Sequence, residues 1–221
     1  MKLSKPPLLA LKNFASINSN LLLVPGSVLK TRSAPNTIFA TVTIPDNFPV
    51  EFGIYELSEF LGVLSLFNDP ELEFSQDGKF VKIFEGANSI KYYSADKNVL
   101  NFPTKDIIFP NPEISFNISS DTLALIHKTS SVLRVPDITF VGEGGKLSLV
   151  VLDKKVPTSN EFEVAIGETE FNFKINIKVE MLKFIQTDYK VEVSSKKVAK
   201  FTDVNSDLEY FIGVESDSTF E

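Results

Sequence analysis

The chain has 221 residues, of which 43% are hydrophobic and 23% charged, and it contains neither cysteine nor tryptophan. Such a chain has enough apolar sequence to bury a core, and without cysteine it can hold no disulfide, zinc–thiolate site or thiol nucleophile. The net charge of −7 argues against a protein that coats nucleic acid by bulk attraction, so any contact with DNA must rest on locally placed basic residues.

The first residues of the chain do not have the pattern of a targeting segment. A lysine interrupts every apolar run near the start, and no small-residue cleavage pattern follows, so a signal peptide is not predicted. No apolar run approaches the ~18 residues of a membrane-spanning helix.

Four segments have the apolar spacing of amphipathic helices, near 5–17, 56–67, 120–133 and 177–184. Ser4 is a candidate N-cap for the first, and the prolines that follow it fit a first helical turn. The apolar stripe predicted for the third consists of Leu125, Ile126, Val132 and Leu133. The fourth is shorter, and its apolar face is poorly defined.

Between these segments, short alternating runs such as 37–44, 79–84 and 189–193 predict antiparallel strands. The triplet Phe-x-Ile recurs at 52–54, 116–118 and 173–175, each time directly before a predicted helix.

This repeat predicts four copies of a helix-plus-strands unit, although two apolar residues at period 2 are also what any half-buried strand shows. The proline-bearing segment 94–112 is the predicted linker. We therefore expect two similar domains, 1–100 and 101–221.

Residue patterns for catalysis are weak. His127 is the only histidine, so every histidine-dependent mechanism would need it, and no serine lies in G-x-S-x-G. Glu71 with Glu73 and Glu161 with Glu163 could bind a metal, but period-2 carboxylates usually form the wet face of a strand. The glycines at 142–145 lack the spacing of a phosphate loop and predict a hairpin turn. We predict no enzyme, no cofactor and no metal site.

Several collinear blocks carry a resemblance to a known family. They are MKLSK at 1–5, LKNFASIN at 11–18, IYELSEFLGVLSLFND at 54–69, SQDG at 75–78, FNFKIN at 171–176, DYKVEV at 188–193 and VESDSTFE at 214–221. With these blocks the chain resembles the sliding clamps of T-even-type bacteriophages. The resemblance extends over nearly the whole chain and is weaker at about 85–165.

The resemblance implies an α+β sliding-clamp fold with two similar domains, each a pair of helix-plus-strands units. Three subunits would close head to tail into a ring, with helices lining the hole and antiparallel sheets outside. Such a homotrimer encircles double-stranded DNA and tethers the phage DNA polymerase. The resemblance also implies a clamp-loader ATPase and late-transcription co-activators as partners, and the cytoplasm of the infected bacterium as the location. A β-rich structural or adhesive virion protein remains the alternative, although such proteins seldom need basic amphipathic helices.

A ring holds DNA by topology, so weak phosphate contacts inside it suffice. Lys5 and Lys12 lie seven residues apart and share a helix face. The full set predicted to face DNA is Lys5, Lys12, His127, Lys128, Arg134, Lys178 and Lys183. Each could instead only solubilise an exposed helix face.

Partners of this family dock short peptides near the interdomain linker, which implies apolar anchors there. The predicted pocket consists of Ile38, Ala40, Ile107, Phe109, Phe211 and Val214. Each of the six could instead be a core residue.

Overall fold

The chain divides into two units between Asp106 and Ile107, in a computed structural model that describes residues 1–220. The sequence prediction placed the border at 100/101 within a linker of 94–112, and the assignment of each part as a clamp domain stays a prediction. Within the described residues, no helix is long and apolar enough to cross a membrane.

The first unit combines two helices with three small antiparallel sheets. Its elements are α1 (Lys5–Ile17), β1 (Leu21–Leu23), β2 (Gly26–Arg32), β3 (Ile38–Phe48), β4 (Phe52–Ile54), α2 (Leu57–Leu64), β5 (Glu71–Phe74), β6 (Phe80–Glu85) and β7 (Asn88–Tyr93). Within this unit β1 pairs with β4, β2 pairs with β3, and β5, β6 and β7 form a meander.

Aromatic side chains fill the core of the first unit. Phe14 of α1 and Phe60 of α2 are fully buried, and the two helices pack against each other. The Phe52 ring meets the Phe74 ring edge-on at 5.4 Å, and Phe60 meets Tyr92 at 5.2 Å. These contacts fix the helices against the strands, so the polar faces of both helices point away from the core.

The second unit contains one long helix and two antiparallel sheets. Its elements are β8 (Ile114–Ile118), α3 (Ser120–Leu133), β9 (Asp137–Glu143), β10 (Lys146–Leu152), β11 (Phe162–Glu168), β12 (Phe173–Lys178), β13 (Tyr189–Ser194), β14 (Val198–Asp203), β15 (Glu209–Gly213) and β16 (Thr219–Phe220). One sheet contains β15-β14-β13-β8 in that order, and the other has the order β11-β10-β9-β12-β16.

Local signals in the sequence explain two features of this unit. The side chain of Ser119 accepts a bond from the amide of Thr122, which caps the first turn of α3. Gly144 and Gly145 have φ angles of +60° and +83°, which glycine adopts without a steric penalty. They close the β9–β10 hairpin, so the hairpin predicted at 142–145 is confirmed.

Three of the four predicted helices are present, and the prediction of the fourth, at 177–184, is wrong. Residues 173–178 form β12, and only a single 3-10 turn, Val179–Met181, follows it. The physical reason is the burial of Ile175, Ile177 and Val179 in strict alternation, which is a strand period and not a helical one.

The limits and faces of two other helices also differ from the prediction. The second helix is shorter than 56–67, since it ends at Leu64. In α3, Leu123 and Ile126 are buried, whereas Val132 is 73% exposed. Val132 therefore does not belong to the apolar stripe.

Candidate nucleic-acid and partner-binding sites

The exposed face of α1 carries two of the predicted DNA-facing lysines. Burial of Ala10, Leu11 and Phe14 leaves the opposite side of the helix to solvent. Lys5 and Lys12 are both exposed there. They lie seven residues, about two helical turns, apart and therefore on one face. The structure thus brings these two cations together.

A second cationic face lies on α3. His127 and Lys128 are exposed near its middle, and Arg134 is exposed at its end. Arg134 has a left-handed backbone with φ of +57°, and its amide donates to the carbonyl of Ser130. The guanidinium therefore leaves the helix at the C-terminal end, where cations interact favourably with the helix dipole.

The last two predicted DNA-facing lysines do not lie on a helix, because the helix expected at 177–184 is absent. Lys178 is on β12, and its amine binds the carboxylate of Asp137, whose side chain is fully buried. Only 19% of the Lys178 side chain is exposed. Lys183 follows the 3-10 turn and is exposed. The prediction of a helix that presents Lys178 to DNA is therefore wrong in its helix. The assignment of Lys178 as a DNA-facing residue stays a prediction.

Four of the six residues predicted for the partner pocket are buried. Ile38 and Ala40 lie in β3 of the first unit, and Phe211 and Val214 lie in or after β15 of the second; none is more than 8% exposed. For these four, the alternative of core residues fits the observed burial. A shared pocket of all six stays a prediction.

The start of the second unit exposes the other two pocket residues. Ile107 is 38% exposed, and the half-buried ring of Phe109 packs on Phe211 with ring centroids 5.9 Å apart. Ile108, which the sequence reasoning missed, is 93% exposed. Its signal was the apolar triplet at 107–109 inside an otherwise polar, proline-bearing segment.

Lys200 on β14 is a second residue that sequence reasoning missed, and no local pattern indicated it. Its amine lies 5.2 Å from the centroid of the Phe109 ring, within cation–π range. The same amine is 2.9 Å from a carboxylate oxygen of Glu192. Burial would raise the pKa of Glu192, but hydrogen bonds from Lys190 and Lys200 outweigh it and lower that pKa.

Antiparallel sheets combined with cations on the exposed faces of α1 and α3, in a chain of negative net charge, are features that a protein of the DNA-clamp class requires. The family model described as DNA polymerase processivity factor matches residues 4–100. The model described as gp45 sliding clamp, C terminal, matches residues 115–216. Both halves of the chain thus match clamp families.

Individual relatives agree with these matches. The sliding clamp of Vibrio phage KVP40 is 32% identical over 98% of this chain and 100% of its own length. The sliding clamp of Enterobacteria phage T4 is 32% identical over 100% of both chains. The chain belongs to the phage sliding-clamp family, whose members are DNA polymerase processivity factors.

A solved structure of low sequence identity supports the fold. The A. fulgidus PCNA, solved with the C-terminal region of FEN-1 bound, superposes with a TM-score of 0.70 at 11% identity. The match covers 96% of this chain and 96% of that one. At this identity the likeness shows the sliding-clamp fold alone.

Proposed function

We propose that the chain forms a ring-shaped homotrimer that encircles duplex DNA and tethers the phage replicative polymerase for processive synthesis. It acts in the cytoplasm of the infected bacterium, is opened by a clamp-loader ATPase, and also serves late-transcription co-activators. It is a scaffold and not an enzyme. The observation that carries this proposal is the match of both halves of the chain to clamp families.

The sheet edges support head-to-tail assembly. β7 is the last strand of its meander and β11 is the last strand of its sheet, so within residues 1–220 each has one side open for further pairing. Open edges readily pair with another chain. If β7 of one subunit pairs with β11 of the next, the contact is heterologous, and such contacts close into a ring when the rotation between subunits permits it. Light scattering after size exclusion should give a trimer, and a monomer at high concentration would contradict the ring.

The faces of α1 and α3 are the proposed DNA-facing surfaces, with Lys5, Lys12, His127, Lys128 and Arg134 as contacts and Lys183 as a further cation near the 3-10 turn. Their cations are few and separated, which suits loose phosphate contact. Each phosphate contact that is lost should lower the salt dependence of binding by roughly one unit of log–log slope.

The test replaces Lys5, Lys12 and Lys128 with Glu. We expect weaker processivity and a shallower salt dependence of loaded complexes, with the trimer intact. Glu at Lys146, Lys155 and Lys196 is the matched control, because these exposed lysines lie outside the helices and the change in net charge is the same. Equal loss in both triple variants would reduce the effect to bulk charge and contradict the assignment.

We propose that the partner-peptide pocket lies around Ile107, Phe109 and Phe211. Two observations support this: Phe109 packs on Phe211, and the neighbouring Ile108 is exposed. Exposed apolar groups beside a preformed aromatic contact are the anchors that a disordered tail needs. Ile107→Ala with Phe211→Ala should abolish binding of a polymerase tail peptide. Because Phe211 is buried, the exposed change Ile108→Asp provides a second variant that leaves the core intact. Unchanged peptide affinity in both folded variants would place the pocket elsewhere.

A further inference from the structure

The last described residues form a strand that covers one edge of β12. We call residues 214–220 the closing segment. Phe220 pairs with Phe173, and Thr219 pairs with Lys174. The amide of Glu215 donates to the carbonyl of Asn176 at 2.9 Å, and the amide of Asn176 donates to Ser218 Oγ at 2.9 Å. The closing segment thus occupies the outer side of β12 from 173 to 176.

Its carboxylates converge on one amine. Lys154 Nζ lies 2.8 Å from a carboxylate oxygen of Asp217 and 3.3 Å from one of Glu215, and the Lys154 side chain is only 15% exposed. The bond from Lys154 is the main cause that lowers the pKa of Asp217. A mostly buried lysine that holds two carboxylates gives this place a fixed preference for negative charge.

A second lysine holds the end of the closing segment. Lys197, in the turn between β13 and β14, donates from its amine to the carbonyl of Ser218. The same amine lies 4.9 Å from the centroid of the Phe220 ring, within cation–π range. Acidic residues at 215 and 217 and the aromatic ring at 220 are therefore each recognised by a lysine.

The hold on the closing segment is local and partly exposed. Its ladder with β12 consists of the pairs at Phe220 and Thr219, and Asp217 remains 54% exposed. Short, exposed strands open far more readily than the core of the same unit. Opening would uncover the β12 edge together with the amines of Lys154 and Lys197, which is a complete site for strand addition.

We propose that β12 carries a strand-addition site, now filled by the closing segment, that accepts in its place an extended segment of a partner protein with the spacing acidic-x-acidic-x-x-aromatic. The spacing is that of Glu215, Asp217 and Phe220, whose side chains the site already binds. The site goes beyond the linker pocket of the proposed function and uses none of Ile107, Phe109 and Phe211.

The closing segment is covalently attached to the chain that carries the site, and this attachment determines how the proposal must be tested. A segment attached to its own site competes at an effective concentration on the order of 1 mM, so a free peptide of the same sequence cannot displace it at micromolar levels. The closing segment must therefore be weakened within the full chain. Asp217→Asn with Phe220→Ala removes one carboxylate contact and the ring.

The probe is a fluorescein-labelled peptide VESDSTF, the sequence of residues 214–220, followed by fluorescence anisotropy. We expect it to bind the weakened full-length chain at least ten-fold more tightly than the unaltered chain. Adding Lys154→Met should reverse that gain, and the peptide VQSNSTF should bind at least ten-fold more weakly. Equal affinity for the weakened and unaltered chains, or indifference to Lys154→Met, would overturn the proposal.

A reversible lock provides an independent test that leaves Lys154 and Lys197 unchanged. Lys174 and Thr219 are direct partners across the strands, and the chain has no cysteine, so Lys174→Cys with Thr219→Cys introduces the only two thiols. In the weakened background, the reduced protein should bind VESDSTF and the oxidised protein should not. The same affinity in both states would show that the peptide binds elsewhere.

The outcome is separable from that of the proposed function. Ile108→Asp, an exposed change, should weaken a polymerase tail peptide and leave the affinity for VESDSTF unchanged. The VESDSTF assays use neither DNA nor a polymerase peptide, so a failed ring or a failed linker pocket would not alter them. If Ile108→Asp weakens VESDSTF as strongly as Lys154→Met does, the peptide occupies the linker pocket and the strand-addition site is refuted.

Discussion

Replacing Lys178 with Met should destabilise the chain by about 3–5 kcal/mol, the usual loss when one partner of a buried ion pair is removed. The carboxylate of Asp137 is fully buried and binds the amine of Lys178. Its other oxygen accepts a long bond, 3.3 Å, from the amide of Lys154. Methionine keeps the volume of the lysine stem, so the loss would report the uncompensated charge and not a cavity.

Thermal unfolding measures this loss directly. For a chain of this size, about 3–5 kcal/mol corresponds to a fall in Tm of roughly 6–20 °C. Lys174→Met is the matched control, because Lys174 is exposed on the same strand and exposed substitutions cost within about 0.5 kcal/mol. The double change Asp137→Asn with Lys178→Met should recover much of the stability. A loss below about 1 kcal/mol for Lys178→Met would refute the reasoning.

Three further outcomes are expected. Phe60→Ala should cost about 3–5 kcal/mol in urea denaturation, since the ring is buried between helix and sheet. Arg134→Gly should raise stability by up to about 1 kcal/mol, because φ is +57° there, while weakening DNA binding. The hydrogen bond from Lys79, followed by that from Ser75, lowers the pKa of Asp77 to about 2. Its stabilising effect is therefore present at neutral pH and lost as pH falls from about 4 towards 2. An NMR titration should find that pKa, and Lys79→Met should raise it.

Helices α1 and α3 could be predicted because each has its own local signals. Their apolar residues recur at helical spacing, and Ser119 stands where an N-cap is needed and acts as one. The Phe-x-Ile triplets predicted strands correctly, since 52–54, 116–118 and 173–175 all lie in strands. What the triplet could not predict is the element after it, because the alternation of Ile175, Ile177 and Val179 simply continues.

The candidate sites also contain features that the sequence could predict and contacts that it could not. Exposed cations on α1 and α3 follow from helix geometry, which a sequence reveals. The partner of Lys178 does not, because Asp137 lies 41 positions away and comes opposite it only through the register of β9 with β12. Lys200 likewise reaches Phe109 only through tertiary packing. Contacts made across a sheet depend on register, and register is specified by the whole buried face of each strand.

The negative net charge of the chain and its proposed hold on DNA are compatible for a physical reason. A protein that encloses duplex DNA does not need the free energy of many phosphate contacts, and each one added would slow sliding. The exposed face of α1 fits that requirement, because Leu9, 53% exposed, separates Lys5 from Lys12. On α3 the exposed Ser131 likewise separates Lys128 from Arg134. Cations spaced by neutral side chains can exchange phosphates one at a time, so the complex keeps its contact with DNA while it moves.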